Sequence, residues 1–199
     1  YIMVNTNRKI TKKRNRRKRK DKHKTKCKSK SKSKKNTKVP YRYLPNSITK
    51  KDKKRYSREI RKSRKLYKCG VYYKRKKIKS YTTRKSSHVS RAKDMYKIDS
   101  IKPSRELAKK TGCSLKALNE IDRKGRGAMF ASGSRPNQTA SSWSIARVAS
   151  AITGGKSAAV DYHILEKGCK PGSKALRLAK KSRRKHGYGK KHSKLAKLF

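Results

Sequence analysis

The stretch SRELAKKTGCSLKALNEIDRKG, Ser104–Gly125, contains the signals for two helices and the turn between them. Ser104 is a typical N-cap for a first helix, and Gly112 is a typical stop. Ser114 then begins a second helix, which Gly125 is predicted to end. Gly112 can adopt the positive φ that a tight turn requires. The stretch therefore predicts a helix-turn-helix-like hairpin within a mainly α-helical fold.

The second helix of this hairpin has outward positions that suit DNA contact. In DNA-binding helix-turn-helix proteins the second helix enters the major groove. Lys116, Asn119 and Arg123 would then face the bases. Glu120 and Asp122 on the same helix disfavour DNA contact, since phosphates repel carboxylates. The alternative is a helical hairpin that only packs a small core.

Caps and stop signals predict further elements on both sides of the hairpin. Helices are expected from Ser47 or Thr49 to Tyr67, from Ser87 to Met95, from Ser141 or Ser142 to Gly154, and from Ser157 to Gly168. An extended or strand-like segment is expected at Tyr72–Tyr81, where aromatic residues cluster. These elements surround a small helical core.

The run KGRGAMFASGSRPNQT, Lys124–Thr139, is predicted to be a loop, because its glycines allow tight turns. Its forked and polar side chains could clamp a phosphate or a carboxylate of a partner. The candidate partner-binding residues of this loop are Arg126, Arg135, Asn137, Gln138 and Thr139. The alternative is a structural loop whose polar side chains cap the neighbouring helices.

The charge of the chain is extreme. Its 199 residues contain 65 Lys plus Arg and 10 Asp plus Glu, which gives a formal net charge of +55. Ordinary domains balance the two signs closely. Such a field is self-repulsive unless an anion neutralises it, so polyanionic or acidic partners are expected.

Charge also divides the chain into four segments. Residues 1–40 carry a net charge of +18 and are expected to form a low-complexity basic arm that is disordered when free. Residues 41–100 also carry +18, in a basic helix and an extended segment. Residues 101–168 carry +7 and are expected to form the helical core. Residues 169–199, with 12 basic residues and no acid, are expected to form a basic C-terminal arm that is partly helical. No apolar run approaches the ~20 residues that span a bilayer, so neither a membrane span nor a signal peptide is expected.

The four cysteines are Cys27, Cys69, Cys113 and Cys169. They form no C-x-x-C pair, which disfavours a zinc finger or a thioredoxin-type site. We expect reduced structural thiols, with a metal or disulfide role as the alternative. No metal or cofactor is expected.

No catalytic constellation is recognisable. The run ITGGKS at Ile152–Ser157 lacks the first glycine of a phosphate-binding loop, since that position is Ser150. The few carboxylates, among them Glu106, Asp161 and Glu166, are expected to be salt-bridge partners in a basic fold. The sequence therefore predicts a protein that is not an enzyme and has no small-molecule substrate.

Between VPYRYLP at Val39–Pro45 and LEKGC at Leu165–Cys169, the chain resembles an uncharacterised domain family of nucleocytoplasmic large DNA viruses, including phycodnaviruses. The likeness is carried by KSSHVSRAKDMY at Lys85–Tyr96, ELAKKTGCSLKAL at Glu106–Leu118, GRGAMFASGSRPNQT at Gly125–Thr139 and SWSIARVASAITGGKSAAVD at Ser142–Asp161. The resemblance implies a viral setting and location in the virion, with the host cytoplasm or nucleus as the place of assembly.

Charge and resemblance together predict two functions. In the first, the chain is a minor structural (capsid) protein of a large icosahedral double-stranded DNA virus. Its basic arms would bridge or cement acidic surfaces of major and other minor capsid proteins, or the anionic inner membrane. The alternative is a virion nucleic-acid-binding protein that condenses or anchors genomic DNA. Both use the same electrostatics, because lysines neutralise phosphates, acidic proteins and lipid headgroups alike.

Overall fold

The computed structural model describes residues 39–187. The predicted N-terminal arm thus lies outside the described residues except for Val39 and Pro40. The last part of the predicted C-terminal arm, residues 188–199, also lies outside them.

The described chain is mainly α-helical, as predicted. After a 3-10 turn at Tyr41–Tyr43 come α1 (Lys50–Tyr67), α2 (Ser87–Tyr96), α3 (Arg105–Thr111), α4 (Leu115–Ala131), α5 (Ala140–Ile152), α6 (Lys156–Val160), α7 (Tyr162–Gly168) and α8 (Lys174–His186). Residues 71–86 form neither a helix nor a strand, so the segment predicted to be extended or strand-like at Tyr72–Tyr81 is not a strand. Their backbone groups instead bond to side chains of other elements, as described below.

The helix-turn-helix-like hairpin is present as α3 and α4. The Ser104 hydroxyl accepts from the Leu107 amide at 3.1 Å, and the Ser114 hydroxyl accepts from the Ala117 amide at 3.2 Å. Gly112 lies between the helices with φ of 69°. The caps and the turn are those that the sequence predicts.

Helix α4 does not end at Gly125 but continues to Ala131. Gly125 is buried where α4 crosses α5, and a Cβ at this position would lie 2.7 Å from the Cα of Ser144. The glycine therefore allows two helix backbones to approach closely, which offsets its poor helix propensity. The predicted loop Lys124–Thr139 is wrong over its first half for this reason.

The following helices also differ in detail from the prediction. Thr139, rather than Ser141 or Ser142, caps α5, through a reciprocal capping box with Ser142. The helix predicted from Ser157 to Gly168 is broken at Asp161 into α6 and α7.

The break at Asp161 places a fully buried carboxylate among cations. The Arg147 guanidinium donates to both carboxylate oxygens, at 2.7 and 2.8 Å, and the Lys124 amine lies 3.1 Å from one of them. The expectation that Asp161 is a salt-bridge partner is confirmed. Asp161 joins α4, α5 and the α6–α7 break through these contacts.

The main core is formed by α2 to α8. It extends beyond residues 101–168 at both ends: Ala92, Tyr96 and Ile98 contribute before it, and Ala175, Leu176 and Ala179 after it. Residues 174–186 therefore form a helix that packs on the core, in a segment predicted to be a basic, partly helical arm. Ser173 caps this helix by accepting from the Leu176 amide at 3.4 Å.

A second, smaller cluster lies between the 3-10 turn, α1 and the irregular segment 71–86. Its buried members are Val39, Tyr43, Leu44, Ile48, Tyr56, Ile60 and Ile78. Trp143 of α5 packs against it, with its ring 6.0 Å from that of Tyr43 in an edge-on arrangement. Helix α5 therefore contacts both clusters, because Val148 and Ile152 lie in the main core.

Cys113 and Cys169 form a disulfide. The expectation of reduced thiols is therefore wrong for this pair. The bond joins the α3–α4 turn to the end of α7, where two backbone hydrogen bonds also connect the segments: Ser114 N–H to Gly168 O at 2.6 Å and Lys170 N–H to Gly112 O at 2.8 Å. None of the cysteines among residues 39–187 is free.

Candidate functional site

The candidate loop residues do not all lie on one loop. Arg126 lies on α4, half exposed, with its Nε 2.6 Å from Asp122. Arg135 is exposed on the true loop between α4 and α5. The two arginines thus sit on different elements rather than on one loop.

Asn137 has a structural role. It adopts a positive φ of 59°, and its side-chain oxygen accepts from the Ile78 amide at 2.8 Å. Its amide nitrogen donates to the carbonyls of Ile78 and Tyr81, each at 3.0 Å. Asn137 therefore satisfies backbone groups of the segment 71–86 in place of a partner strand.

Gln138 and Thr139 also serve the fold. The Ser142 hydroxyl donates to the Gln138 side chain at 2.9 Å, and the Thr139 hydroxyl accepts from the Ser142 amide at 3.0 Å. These contacts fix the first turn of α5. The side chains of Asn137, Gln138 and Thr139 thus bond to neighbouring parts of the fold, which supports the alternative that this loop is structural.

The loop and the end of α4 present carbonyl oxygens to cations of the same chain. Arg64 donates to the Ser132 carbonyl at 2.7 Å, and Arg75 donates to the Met129 carbonyl at 3.2 Å and to the Ser134 hydroxyl at 2.6 Å. Cations at a helix C-terminus are favoured by its dipole. The sequence analysis did not single out Arg64 or Arg75. Both lie in stretches with many Lys and Arg residues, and nothing in the sequence distinguishes them from their neighbours.

Burial affects the titration of the groups around this loop. It lowers the pKa of the Arg75 guanidinium, although arginine stays charged at neutral pH. Burial likewise raises the pKa of the Tyr56 phenol, which donates to the carbonyl of Arg135 at 2.9 Å. Tyr56 therefore remains a neutral donor that holds the loop against α1.

The three candidate DNA-contacting residues of α4 are brought together on one surface. Lys116, Asn119 and Arg123 are all exposed, at spacings of three and four residues that place them on one helix face. Glu120 is half-buried. Asp122, whose side chain is 14% exposed, pairs with Arg126, so its charge is partly neutralised.

Helix α1 carries a longer basic surface, which we call the α1 face. Tyr56, Ile60 and Ser63 point into the protein. The exposed side follows helical spacing and consists of Lys51, Lys54, Arg58, Lys62 and Lys65. At 1.5 Å per residue this line extends over about 21 Å, with roughly one cation per turn.

The carboxylates of α1 are occupied by other partners. Glu59 accepts from the Lys76 amide at 3.0 Å and from the Tyr73 hydroxyl at 3.1 Å. Asp52 lies 3.9 Å from Arg55 and accepts from Ser80. Within residues 39–187, no ion pair neutralises Lys51, Lys54, Arg58 or Lys65 of the α1 face.

A second basic surface, the α8 face, lies on another part of the fold. Helix α8 buries Ala175, Leu176 and Ala179 against the main core and contains no acid. Its exposed side consists of Lys174, Arg177, Lys180, Lys181, Arg184 and Lys185. Helix α1 packs on α4, whereas α8 packs on α5, α6 and α7, so the two faces lie on helices with different neighbours.

Neither a metal site nor a membrane span is found in the described part of the chain. Residues 39–187 contain no group of three or more His, Cys, Asp or Glu side chains placed to hold a metal ion. None of their helices is long and apolar enough to cross a bilayer.

The site and the fold together define a disulfide-linked, mainly α-helical protein with two exposed basic helix faces. The chain belongs to a protein family of unknown function, DUF5824, whose profile matches residues 40–167. No curated protein and no solved structure shows significant similarity to the chain.

Proposed function

We propose that the protein is a non-enzymatic structural protein of a large icosahedral DNA virus particle, in which it bridges acidic capsid or membrane surfaces. The observation that carries this proposal is the pair of basic faces on α1 and α8. Each lies on a packed helix, and the two helices have different neighbours, so the two faces offer separate contacts for acidic surfaces. The low-complexity arms, by their charge, would add contacts to the same partners.

The Cys113–Cys169 disulfide supports a place in a particle. Disulfides persist in oxidising settings, which include virion surfaces, and are rare in reduced cytosol. The cross-link between the α3–α4 turn and α7 stabilises the fold, so that a smaller apolar core is sufficient. This suits a chain in which only 31% of the residues are hydrophobic.

The second candidate function is binding of the viral genome. The observation that favours it is the line Lys116, Asn119 and Arg123 on the exposed surface of α4. Asn and Arg at such positions can form bidentate contacts with base edges. The α1 and α8 faces would then neutralise phosphates and release counterions.

Mass spectrometry of purified particles tests the proposal. We expect the protein in particles, and we expect it to remain with the capsid fraction after the particles are opened and treated with nuclease. Its loss with the digested genome would support the second function. Its absence from particles would contradict both.

A further inference from the structure

Three aromatic side chains meet at the surface where α1, α4 and the segment 71–86 come together. The rings of Tyr67 and Phe130 are stacked at 6.0 Å, and the ring of Tyr72 meets that of Phe130 edge-on at 5.2 Å. Tyr72 is 70% exposed. We call Tyr67, Tyr72 and Phe130 the aromatic platform.

The backbone around the platform holds Tyr72 outward. The Val71 amide donates to the Leu66 carbonyl at 3.0 Å, which turns the chain back after α1. Tyr73 instead points to α1, where its hydroxyl donates to Glu59. Gly127 leaves room for Tyr67, since a Cβ there would lie 3.0 Å from the phenol oxygen.

An exposed ring of this kind contributes little to folding. Tyr72 leaves most of its surface in water, and its neighbour Val71 is 45% exposed. Burial of apolar surface is what stabilises a fold, so these side chains stabilise this one only weakly. A contiguous exposed apolar surface is typical of a binding site.

Cationic residues lie close to the platform in the chain. Lys68 follows Tyr67 in the chain, and Lys74 lies two residues after Tyr72; both are exposed. On α4, Arg126 precedes Phe130 by one helical turn and Arg123 by about two, so both share its side of the helix. Arg126 is partly engaged by Asp122, whereas no ion pair within residues 39–187 involves Arg123.

We propose that the aromatic platform is a base-stacking site for single-stranded nucleic acid. Every base has a flat π-face that can stack on Tyr72, and the flanking phosphates can contact Lys68, Lys74 and Arg123. The cations repel a basic peptide. An acidic peptide could use the cations but has a ring to stack only where it contains an aromatic residue, whereas a nucleic acid presents a base beside every phosphate. This site is additional to the α1 and α8 faces and does not depend on which polyanion those faces bind.

Binding of full-length protein to a fluorescent oligo(dT) and to an abasic oligonucleotide of equal length tests this proposal. Both probes carry the same phosphates, so the basic arms and faces contribute equally to each. We expect tighter binding of oligo(dT). Tyr72→Ala should weaken oligo(dT) binding by roughly 5- to 100-fold for one lost stack, and leave abasic binding unchanged.

Two variants act as controls. Tyr72→Phe keeps the ring and should retain the preference for oligo(dT), and Tyr41→Ala removes another exposed tyrosine, 47% exposed, outside the platform and should have no effect. Equal affinity of the wild type for both probes would overturn the proposal. So would a Tyr72→Ala variant that keeps the preference, or one that loses binding to polyglutamate to the same extent as to oligo(dT).

Discussion

Asp161, one of the few carboxylates of this cationic chain, forms ion pairs inside the fold. Its side chain is fully buried and contacts both Arg147 and Lys124. A buried ion pair contributes little net stability, because both ions lose their hydration. Removal of the carboxylate is costly, however, since the Arg147 guanidinium, only 17% exposed, is left without its counterion.

We therefore expect Asp161→Asn to lower the free energy of unfolding by about 3–5 kcal/mol. Urea unfolding followed by circular dichroism measures this loss. Asp94→Asn is the matched control, because it removes the same charge from an exposed position of α2 and should cost within about 0.5 kcal/mol. Equal stability of the two variants would show that the Asp161 contacts do not hold the helices together.

The partners of the polar side chains in the loop before α5 could not be predicted from the sequence. Asn137, Gln138 and Thr139 were correctly identified as hydrogen-bonding residues, but their partners were not. Asn137 bonds to Ile78, 59 positions earlier in the chain. A polar side chain suits a ligand and a distant backbone group equally well, and a single sequence does not show which one is near.

Among the helices, the sequence predicts a terminus correctly where the hydrogen bonds that fix it are made within the same helical turn. The caps at Thr49, Ser104 and Ser114 act within one helical turn, and all three helices begin where predicted. The end of α4 depends on a distant element instead. Gly125 does not end α4 because α5 crosses there, and the sequence gives no sign of that crossing.

The Cys113–Cys169 bond was missed for a related reason. The two residues are separated by 56 positions, and they meet only because α7 returns to the α3–α4 turn. Closing a loop of this length reduces the entropy of the unfolded chain. On the chain-entropy model the bond contributes about 4 kcal/mol.

We accordingly expect Cys113→Ser/Cys169→Ser to be less stable than the wild type by about 4 kcal/mol under oxidising conditions. Chemical denaturation monitored by circular dichroism measures the difference. Each single variant should lose about as much as the double variant, because either substitution removes the same bond. Wild-type stability in the double variant, or no linked Cys113–Cys169 peptide in a non-reducing digest, would contradict this account.

In the molecule as a whole, the net charge of +55 is distributed over the packed helices as well as over the flanking sequence. The mainly α-helical class could be predicted, because caps and apolar spacing are properties of sequence. The limits of the core could not be predicted from the sequence. The core residues Ala175, Leu176 and Ala179 lie in a lysine-rich segment that has few apolar residues. Their burial follows from the position of α8 against α6 and α7.

We propose that the folded helices bind polyanions through defined faces, beyond what net charge alone produces. The direct test replaces Lys51, Lys54, Arg58 and Lys65 of the α1 face with Gln. The control replaces four exposed lysines on separate elements, Lys93, Lys102, Lys109 and Lys170, so that net charge is matched.

The measurement is the salt dependence of binding to duplex DNA and, in parallel, to polyglutamate. Each phosphate contact contributes about 0.9 to the slope of log K against log salt for duplex DNA. We predict that the α1-face variant loses roughly 3 to 4 from this slope and binds both polymers more weakly than the control variant does. Equal slopes and affinities for the two variants would contradict the account, because binding would then follow total charge and not the α1 face.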